Sequence, residues 1–421
     1  WTHREVLGRV AEPIALACGL AMVASGSWAF WTMTGMETTS FALLVFAASV
    51  GLGKGSRWWP AMCLAAATLT RPEGLGYALA LVAATAVVDR RRAARTAAVV
   101  ALVFVPYFIW HWLHFGHPLP NTFYAKVGGT AALWRGVIGL EEYLSSQLAW
   151  LLIAAALWAV VTRWRQGWVR LHAAVIAAAA ANVVLVGGHT FAFHRFMLPA
   201  LAPLLVLTGV AMGDVAKALR RSSPHGVQWA AGGVAVLAAW MLVATVRLPI
   251  AALSAQDLAP RNGVMRAARL NHGYRAIGQW LGRTMPKDAV VAVNAAGIIP
   301  YESGLPTIDM LGLNDAHIAH REVAMGRGAI GHEKHDGAYV LSRQPDVVLL
   351  GLPQFTDGPL RTGEQLRAQV QVFFATLPGD KKIFLDPGFR TDYAPRSVEV
   401  LPGKWLTLFI RKDRLAALGQ I

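Results

Sequence analysis

The sequence predicts a polytopic α-helical membrane protein that carries a soluble α/β domain at its C-terminal end. Of its 421 residues, 55% are hydrophobic, 15% are charged and 16 are tryptophans, a composition typical of integral membrane proteins. Apolar runs follow one another as far as residue 248, and polar turn signals return beyond it. We therefore expect two domains, residues 1–248 in the membrane and residues 249–421 outside it.

Nine apolar runs are long enough, or nearly so, to cross the hydrocarbon core, which takes about 20 helical residues. The pairs around Gly35 and Arg71 are short and are compatible with re-entrant hairpins instead. The sequence predicts about nine transmembrane helices, at residues 14–34, 38–53, 58–70, 75–88, 96–115, 147–162, 169–186, 196–213 and 227–248.

The positive charges predict the orientation of these helices. One alternate set of connections carries fourteen Lys and Arg residues and the other carries four. Because Lys and Arg gather in cytoplasmic loops, residues 249–421 are expected outside the cell. Most of the net charge of +15 belongs to the first 248 residues, with 19 Lys and Arg against 8 Asp and Glu. This distribution follows membrane topology, so nucleic acid is not an expected partner.

The region beyond residue 258 has the pattern of a small α/β domain. An amphipathic helix is predicted from Val264 to Leu281, with Pro286 beyond its end. A second helix is expected near residues 360–376. Short apolar runs predict strands at Ala289–Val293, Asp346–Leu350, Lys382–Leu385, Val398–Leu401 and Trp405–Ile410.

Residues 116–126, GHPLPNTFYAK, form a candidate binding loop. Pro118 and Pro120 fix φ and bias the residues before them towards extended geometry. We expect a rigid non-helical segment that presents Asn121, Tyr124 and Lys126 to a ligand. The alternative is a stiff turn where the chain leaves the bilayer, with Tyr124 as an interface anchor.

Three cations lie in the predicted outer connections of the membrane half, Arg71, Lys126 and Arg195. Together they suit a phosphate or pyrophosphate carried on a lipid tail. Binding of anionic lipid headgroups without chemistry is the alternative. Glu37 and Glu73 lie in neighbouring turns, where Glu37 suits a helix cap and Glu73 suits an ion pair with Arg71.

Two further stretches concentrate polar side chains. His189 and His194 precede Arg195, but no thiolate or carboxylate stands at ligand spacing, so no metal site is predicted and interfacial histidines are the simpler interpretation. Residues 297–319 contain a polar cluster around two glycines, for which the alternative is a turn that caps itself. Its members are Asp309, Asn314, Asp315 and His317.

Six stretches that together span almost the entire chain carry a family resemblance: SGS…TGMETTSFALLVF at 25–46, LTRPEG at 69–74, GHPLPNTFYAK at 116–126, RFMLPALAPLL at 195–205, IPYESGLPTIDMLGLNDAHIA at 299–319 and GHEK at 331–334. They resemble the membrane glycosyltransferases of the GT-C fold, and most closely the mycobacterial terminal β-(1→2)-arabinofuranosyltransferase family.

The resemblance implies a glycosyltransferase at the outer face of a bacterial cytoplasmic membrane. The donor would be a sugar on polyprenyl phosphate, with arabinofuranose as one candidate, and the acceptor an envelope polysaccharide or glycolipid. On this interpretation Arg71, Lys126 and Arg195 bind the donor phosphate. The residues expected to contact the sugar or the acceptor are Asn121, Tyr124, His189, His194, Asp309, Asn314, Asp315 and His317.

The chain departs from the family pattern at two places. Members normally begin with one more helix and an outer loop whose Asp-Asp motif supplies the catalytic base. Nothing before Trp1 supplies it here, so we expect a missing N-terminal part, with Glu37 and Glu73 as fallback bases. The family's Gly-Gly turn also tends to precede an aspartate where this chain has His189, which leaves acceptor and metal preference open. No cofactor is predicted, and a divalent metal remains an open requirement.

The rival interpretation comes from a different functional class: a non-catalytic membrane glycan- or lipid-binding protein, or a transporter. A transporter is expected to show inverted repeats and paired discontinuous helices, and the sequence shows neither pattern.

Overall fold

The computed structural model of the chain describes residues 11–146, 149–188, 193–222, 264–325, 331–372, 374–375 and 377–415, together with the isolated residues 232 and 239. These residues form two compact units. Unit 1 takes in the described residues as far as Pro118 and those from Arg135 to residue 222. Unit 2 takes in Leu119–Trp134 and the described residues from Val264 onwards.

All the secondary-structure elements among the described residues of unit 1 are helices, joined by short turns. The helices before residue 223 are α1 (Ala11–Ala24), α2 (Gly26–Met33), α3 (Thr38–Gly53), α4 (Trp59–Thr70), α5 (Gly74–Ala86), α6 (Arg90–Phe115), α7 (Asn121–Lys126), α8 (Thr130–Ser146), α9 (Trp150–Arg163), α10 (Gly167–Val186) and α11 (Leu198–Ser222). A 3₁₀ turn, Arg195–Met197, directly precedes α11. Of these helices, α7 and the first residues of α8 belong to unit 2.

Several helices of unit 1 have the length and composition of membrane spans. Among the described residues, three segments are long and apolar enough to cross a membrane, Arg90–Phe115, Gly167–Val186 and Arg195–Leu219. The number becomes five if the bent pairs α1–α2 and α8–α9 each count as one span. Helices α3, α4 and α5 are apolar but shorter. The predicted run at 227–248 lies outside the described residues.

The packing of α3 shows how unit 1 buries its core. Phe41, Val45, Ala48 and Leu52 follow one another at helical spacing and are at most 3% exposed, so one face of α3 is covered by its neighbours. Helix α6 contrasts with α3, because only 11% of its most apolar 18-residue stretch is buried inside the protein. An apolar helix with so little protein contact is suited to a lipid environment.

Unit 2 contains a mixed six-stranded sheet. Its elements after α8 are α12 (Val264–Thr284), β1 (Val291–Val293), α13 (Ile298–Ser303), β2 (Thr307–Asp309), α14 (Ala316–His320), α15 (Gly337–Ser342), β3 (Val347–Leu349), β4 (Phe355–Thr356), α16 (Gly363–Gln371), α17 (Pro378–Leu385), α18 (Pro387–Asp392), β5 (Tyr393–Leu401), β6 (Lys404–Arg411) and α19 (Lys412–Leu415).

The strand order is β2-β1-β3-β6-β4, and β5 pairs with β6 as well. Strands β1, β2 and β3 are parallel, while β6 is antiparallel to β3, β4 and β5. The two faces of the sheet carry separate cores, with Val291 and Val293 on one face and Ala292 on the other. The predicted C-terminal α/β region is therefore confirmed, and its parallel strands place their carboxyl ends at one edge.

Two local predictions were wrong. Residues 382–385, predicted as a strand, form the end of α17, because Pro378 occupies its first turn and Asp380, Ile383 and Phe384 are buried at helical spacing. The loop at 116–126, predicted to be non-helical, forms α7 from Asn121 onwards. Pro120 is extended, with ψ 149°, and directly precedes that helix. Proline restricts itself and the residue before it, but not the residues that follow.

Candidate functional site

Four charged side chains meet in unit 1 where helices α3 and α5 begin and where the turn before α11 lies. One oxygen of Glu37, Oε1, accepts bonds from Arg71 Nη1 and from Arg195 Nη2, each at 2.6 Å. Arg71 Nε also donates to Glu73 Oε1 at 2.5 Å, and Arg195 Nε donates to Thr38 at 3.1 Å. We name Glu37, Arg71, Glu73 and Arg195 the arginine–glutamate cluster.

Aromatic rings hold the two guanidinium groups of the cluster. The Arg71 guanidinium lies 5.7 Å from the ring centroids of both Phe41 and Phe196, and that of Arg195 lies 5.3 Å from the Trp31 ring. Such contacts favour a cation over an aromatic face. The side chains of Arg71 and Arg195 are only 9% and 12% exposed, so both charges are fixed in place and largely removed from solvent.

The chain adopts an unusual conformation immediately before Arg195. Phe193 and His194 have φ values of 60° and 47°, the left-handed region that side chains other than glycine rarely adopt. Trp31 Nε1 donates to the Phe193 carbonyl at 3.3 Å, and the Phe193 side chain is buried. Two successive left-handed residues are energetically costly and recur at binding and catalytic sites. Here they directly precede Arg195, whose side chain is mostly removed from solvent.

The cluster is balanced electrostatically, with two cations and two carboxylates. Both carboxylates belong to N-cap residues, Glu37 of α3 and Glu73 of α5, but neither side chain makes a capping hydrogen bond. Burial opposes ionisation of Glu37, yet a backbone hydrogen bond and the charges of Arg71 and Arg195 outweigh it and lower its pKa. Glu37 is therefore poorly suited to act as a general base near neutral pH.

Two neutral donors line the same small cavity as Arg71 and Arg195. The Tyr77 side chain, on α5, is 1% exposed, and its hydroxyl has no hydrogen-bond partner among the described residues. The Nδ2 atom of Asn182, on α10, is buried without a partner in that same part of the chain. Sequence reasoning missed both residues, because each lies inside an apolar run and only the packing of α5 and α10 brings it to the cluster.

Of the two histidines predicted near Arg195, the structure describes His194. His194 is half-buried and its ring lies 5.3 Å from that of Tyr143, and partial removal from solvent lowers its pKa to about 4. It is therefore neutral at physiological pH. His189 lies outside the described residues. Within the described residues, no three His, Cys, Asp or Glu side chains are grouped in a way that could hold a metal ion.

The predicted loop residues Asn121, Tyr124 and Lys126 lie on α7, which belongs to unit 2. Helix α7 packs on α14, where the Tyr124 and His320 rings lie 4.1 Å apart, and Ala125 is fully buried. The aliphatic part of the Lys126 side chain passes close to Gly331, because a Cβ atom on Gly331 would lie 3.2 Å from Lys126 Cγ. Unit 2 thus brings together three motifs that are distant in sequence, and Lys126 belongs to a different unit from Arg71 and Arg195.

The polar residues of 309–317 form capping interactions within unit 2. Asp309 is 3% exposed and accepts from the backbone N–H groups of Leu311 and Asn314 at 2.9 and 2.7 Å, and burial raises its pKa. Asn314 Nδ2 donates to the Ala296 carbonyl at 3.4 Å. The self-capping turn considered as an alternative is therefore present at Asp309.

Asp315 and His317 are held by residues outside that stretch. Asp315 caps α14 and also accepts from the Tyr339 hydroxyl at 3.1 Å. His317 Nε2 lies 3.0 Å from Asp336 Oδ2, and its ring stacks on Tyr339 with centroids 4.0 Å apart. Asp336 also pairs with Arg321. Since the His317 side chain is 51% exposed, its ring is accessible to a ligand.

One family model matches part of unit 2. Residues 264–400 match the family model described as Domain of unknown function (DUF8728). The match contains the sheet from β1 to β4, most of β5, and the 297–319 stretch. A comparison with curated proteins gives no match.

Proposed function

We propose that this protein is a multi-pass glycosyltransferase of the bacterial cytoplasmic membrane, with about nine membrane spans. It transfers a sugar from a polyprenyl-phosphate donor to an envelope glycan or glycolipid at the outer face, where unit 2 lies. The observation that carries the proposal is the pair of arginines, Arg71 and Arg195. Their side chains are 9% and 12% exposed, and they share a single carboxylate oxygen in a helical unit rich in apolar segments.

The paired guanidinium groups have the capacity to bind a phosphate. Each guanidinium has five N–H donors, and among the described residues the bonds of Arg71 and of Arg195 use two apiece. Arginine suits phosphate because its planar donors form bidentate, charge-assisted bonds. Helices α3 and α5 begin at the cluster, and helix N-termini favour anions. These features support a phosphate site, which the proposal assigns to the phosphate of the lipid-linked donor.

In the proposed reaction an acceptor hydroxyl attacks the anomeric carbon of the donor sugar. The new glycosidic bond forms as the bond to the phosphate oxygen breaks, and polyprenyl phosphate leaves with the electron pair. Arg71 and Arg195 stabilise the charge that develops on that phosphate. The hydroxyl proton passes to a general base, a role for which Glu37 is poorly suited because its pKa is lowered.

The residues of unit 2 supply sugar and acceptor contacts in this proposal. Asn121 and Tyr124 orient sugar hydroxyls, and His317 contacts the acceptor. Support comes from the packing of α7 on α14, which carries the loop residues and His317 in one unit, and from the half-exposed His317 ring.

Binding of a polyprenyl phosphate tests the proposal. The purified chain, reconstituted in lipid nanodiscs, is titrated with a fluorescent polyprenyl phosphate and with the matching polyprenol. We expect Arg71→Gln and Arg195→Gln each to weaken binding of the phosphate by about 10- to 100-fold, the effect of losing hydrogen bonds from a charged donor, without changing binding of the polyprenol.

Arg163→Gln is the matched control. Arg163 pairs with Asp214 in the same unit and is 15% exposed, close to the 12% of Arg195, but it lies outside the cluster. Equal losses in Arg163→Gln and Arg195→Gln would contradict a phosphate site at the cluster.

A further inference from the structure

The Tyr77 hydroxyl and the Asn182 amide are the starting point, because both are buried donors without an acceptor among the described residues. A donor that is removed from water without gaining an acceptor destabilises the folded state. For this reason nearly all buried donors in native proteins form hydrogen bonds. Both donors line the cavity of Arg71 and Arg195. Two cations and two unpaired donors around one small cavity suit an acceptor with several oxygens.

Glu37 binds the same two arginines beside that cavity. Its Oε1 atom alone accepts from both arginines at 2.6 Å, as one oxygen of a phosphate would. The Glu37 side chain is 38% exposed, against 18% for Glu73. It is the most exposed member of the cluster and precedes α3 in a short turn. Glu37 can therefore leave the arginines towards solvent, while Glu73 is more enclosed.

We propose that the Glu37 carboxylate occupies the binding position of a phosphate group, and that a phosphate ligand displaces it and binds Arg71, Arg195, Tyr77 and Asn182 together. This inference rests on the proposed function, since it concerns the same site, and it adds two binding residues and an internal competitor. The ligand class is a phosphate monoester or diester, carried on a lipid or free in solution.

The charges of the cluster explain how the exchange works. With Glu37 in place the two cations and two carboxylates cancel. When Glu37 turns away, one positive charge is uncompensated at a site where α3 and α5 begin, and that site attracts an anion. A carboxylate satisfies the two arginines but leaves Tyr77 and Asn182 unpaired, whereas the oxygens of a tetrahedral phosphate can accept from all four. The site is thereby selective for phosphate over carboxylate.

Removal of the competitor is the decisive experiment. The full chain in nanodiscs is titrated with fluorescent polyprenyl phosphate, and inorganic phosphate is added as a competitor. We expect Glu37→Ala and Glu37→Gln to bind polyprenyl phosphate about 10-fold more tightly than the unmodified chain, because no carboxylate competes for the arginines. Adding Tyr77→Phe to Glu37→Gln is expected to weaken binding about 5-fold.

Asp214→Asn is the control for loss of a negative charge. Asp214 pairs with Arg163 elsewhere in unit 1, so its removal raises the net charge equally but frees no donor in the cluster, and no tightening is expected. Competition by inorganic phosphate at concentrations comparable to the lipid would show that the site takes free phosphate. Its failure to compete would show that the site takes a lipid-linked one.

The outcomes separate this inference from the proposed function. If the unmodified chain binds polyprenyl phosphate and both Glu37 variants bind it equally or more weakly, the displacement is wrong while the phosphate site stands. If neither the unmodified chain nor any variant binds, the proposed function fails. Glu37→Gln retains the side-chain shape, so it answers the question even if Glu37→Ala does not fold.

Discussion

Asp315 and Asp336 are linked by reciprocal capping, in which each caps its own helix and binds a side chain of the other. Asp315 caps α14 and accepts from the Tyr339 hydroxyl of α15 at 3.1 Å. Asp336 caps α15 and lies 3.0 Å from His317 Nε2 of α14. The two short helices are thereby joined at their N-terminal ends, and the exposed His317 ring is held in a fixed orientation.

Tyr339→Phe is expected to weaken this link by about 1 kcal/mol, because it removes the hydroxyl bonded to Asp315 and keeps the ring stacked on His317. Hydrogen exchange of the α14 and α15 amides in the intact chain measures the effect. Tyr301→Phe, at a side chain that is 87% exposed, is the control. Equal protection in the two variants would mean that the hydroxyl contributes nothing to the link.

Asp380 is expected to make unit 2 sensitive to pH. It is 1% exposed, accepts from Asn294 Nδ2 at 2.9 Å and from the Gly351 N–H, and burial raises its pKa to about 6. A raised pKa means that its contribution to stability is complete below pH 4 and is lost as pH rises through 6, by about 3 kcal/mol in total.

Asp380→Asn should abolish this dependence. Hydrogen exchange of the β1 and β3 amides, measured between pH 4 and pH 7 in the variant and in the unmodified chain, compares the pH dependence of stability in the two proteins. Asp357→Asn, at a side chain that is 89% exposed, should leave the pH profile as it is. Parallel profiles for Asp380→Asn and the unmodified chain would show that Asp380 does not titrate in this range.

Gly74 and Gly76 of α5 are expected to respond oppositely to substitution by alanine. A Cβ on Gly74 would lie 2.3 Å from the Ala67 carbonyl oxygen, whereas a Cβ on Gly76 would meet nothing within 4 Å. Gly74→Ala should destabilise unit 1 by about 1–3 kcal/mol through overpacking. Gly76→Ala should stabilise it by up to about 1 kcal/mol through helix propensity. Thermal unfolding in detergent compares them, and similar shifts would contradict the close approach beside Gly74.

The orientation of the protein remains a prediction that cysteine labelling tests. We expect Arg361→Cys to react with a membrane-impermeant thiol reagent in intact cells and Arg91→Cys to react only after lysis, because the positive charges place residue 91 inside. Both positions are exposed, and Arg361 avoids Thr362, which forms a capping box with Gln365. Cys18 and Cys63 are replaced first. Labelling of Arg91→Cys but not of Arg361→Cys in intact cells would show that the opposite orientation is correct.

Much of the architecture followed from periodicity. Long apolar runs predicted the helices of unit 1, and α3 at Thr38–Gly53 coincides with the predicted run at 38–53. Strands β1, β3, β5 and β6 were predicted near their observed positions. Short elements were harder to identify, since β2 spans only Thr307–Asp309 and an apolar run as brief as residues 382–385 suits a strand or a helix.

The sequence by itself determined that unit 1 is helical and apolar, that unit 2 is α/β, and that Arg71, Glu73, Glu37 and Arg195 are unusual charges beside apolar runs. Local patterns suffice for such conclusions, because burial and helix periodicity are encoded by neighbouring residues. Only the tertiary structure decided which charges meet. Glu37 and Arg195 are 158 positions apart, and the assignment of Lys126 to unit 2 depends on the packing of α7 against α14. Contacts between distant segments depend on how whole helices pack, and no local pattern records that packing.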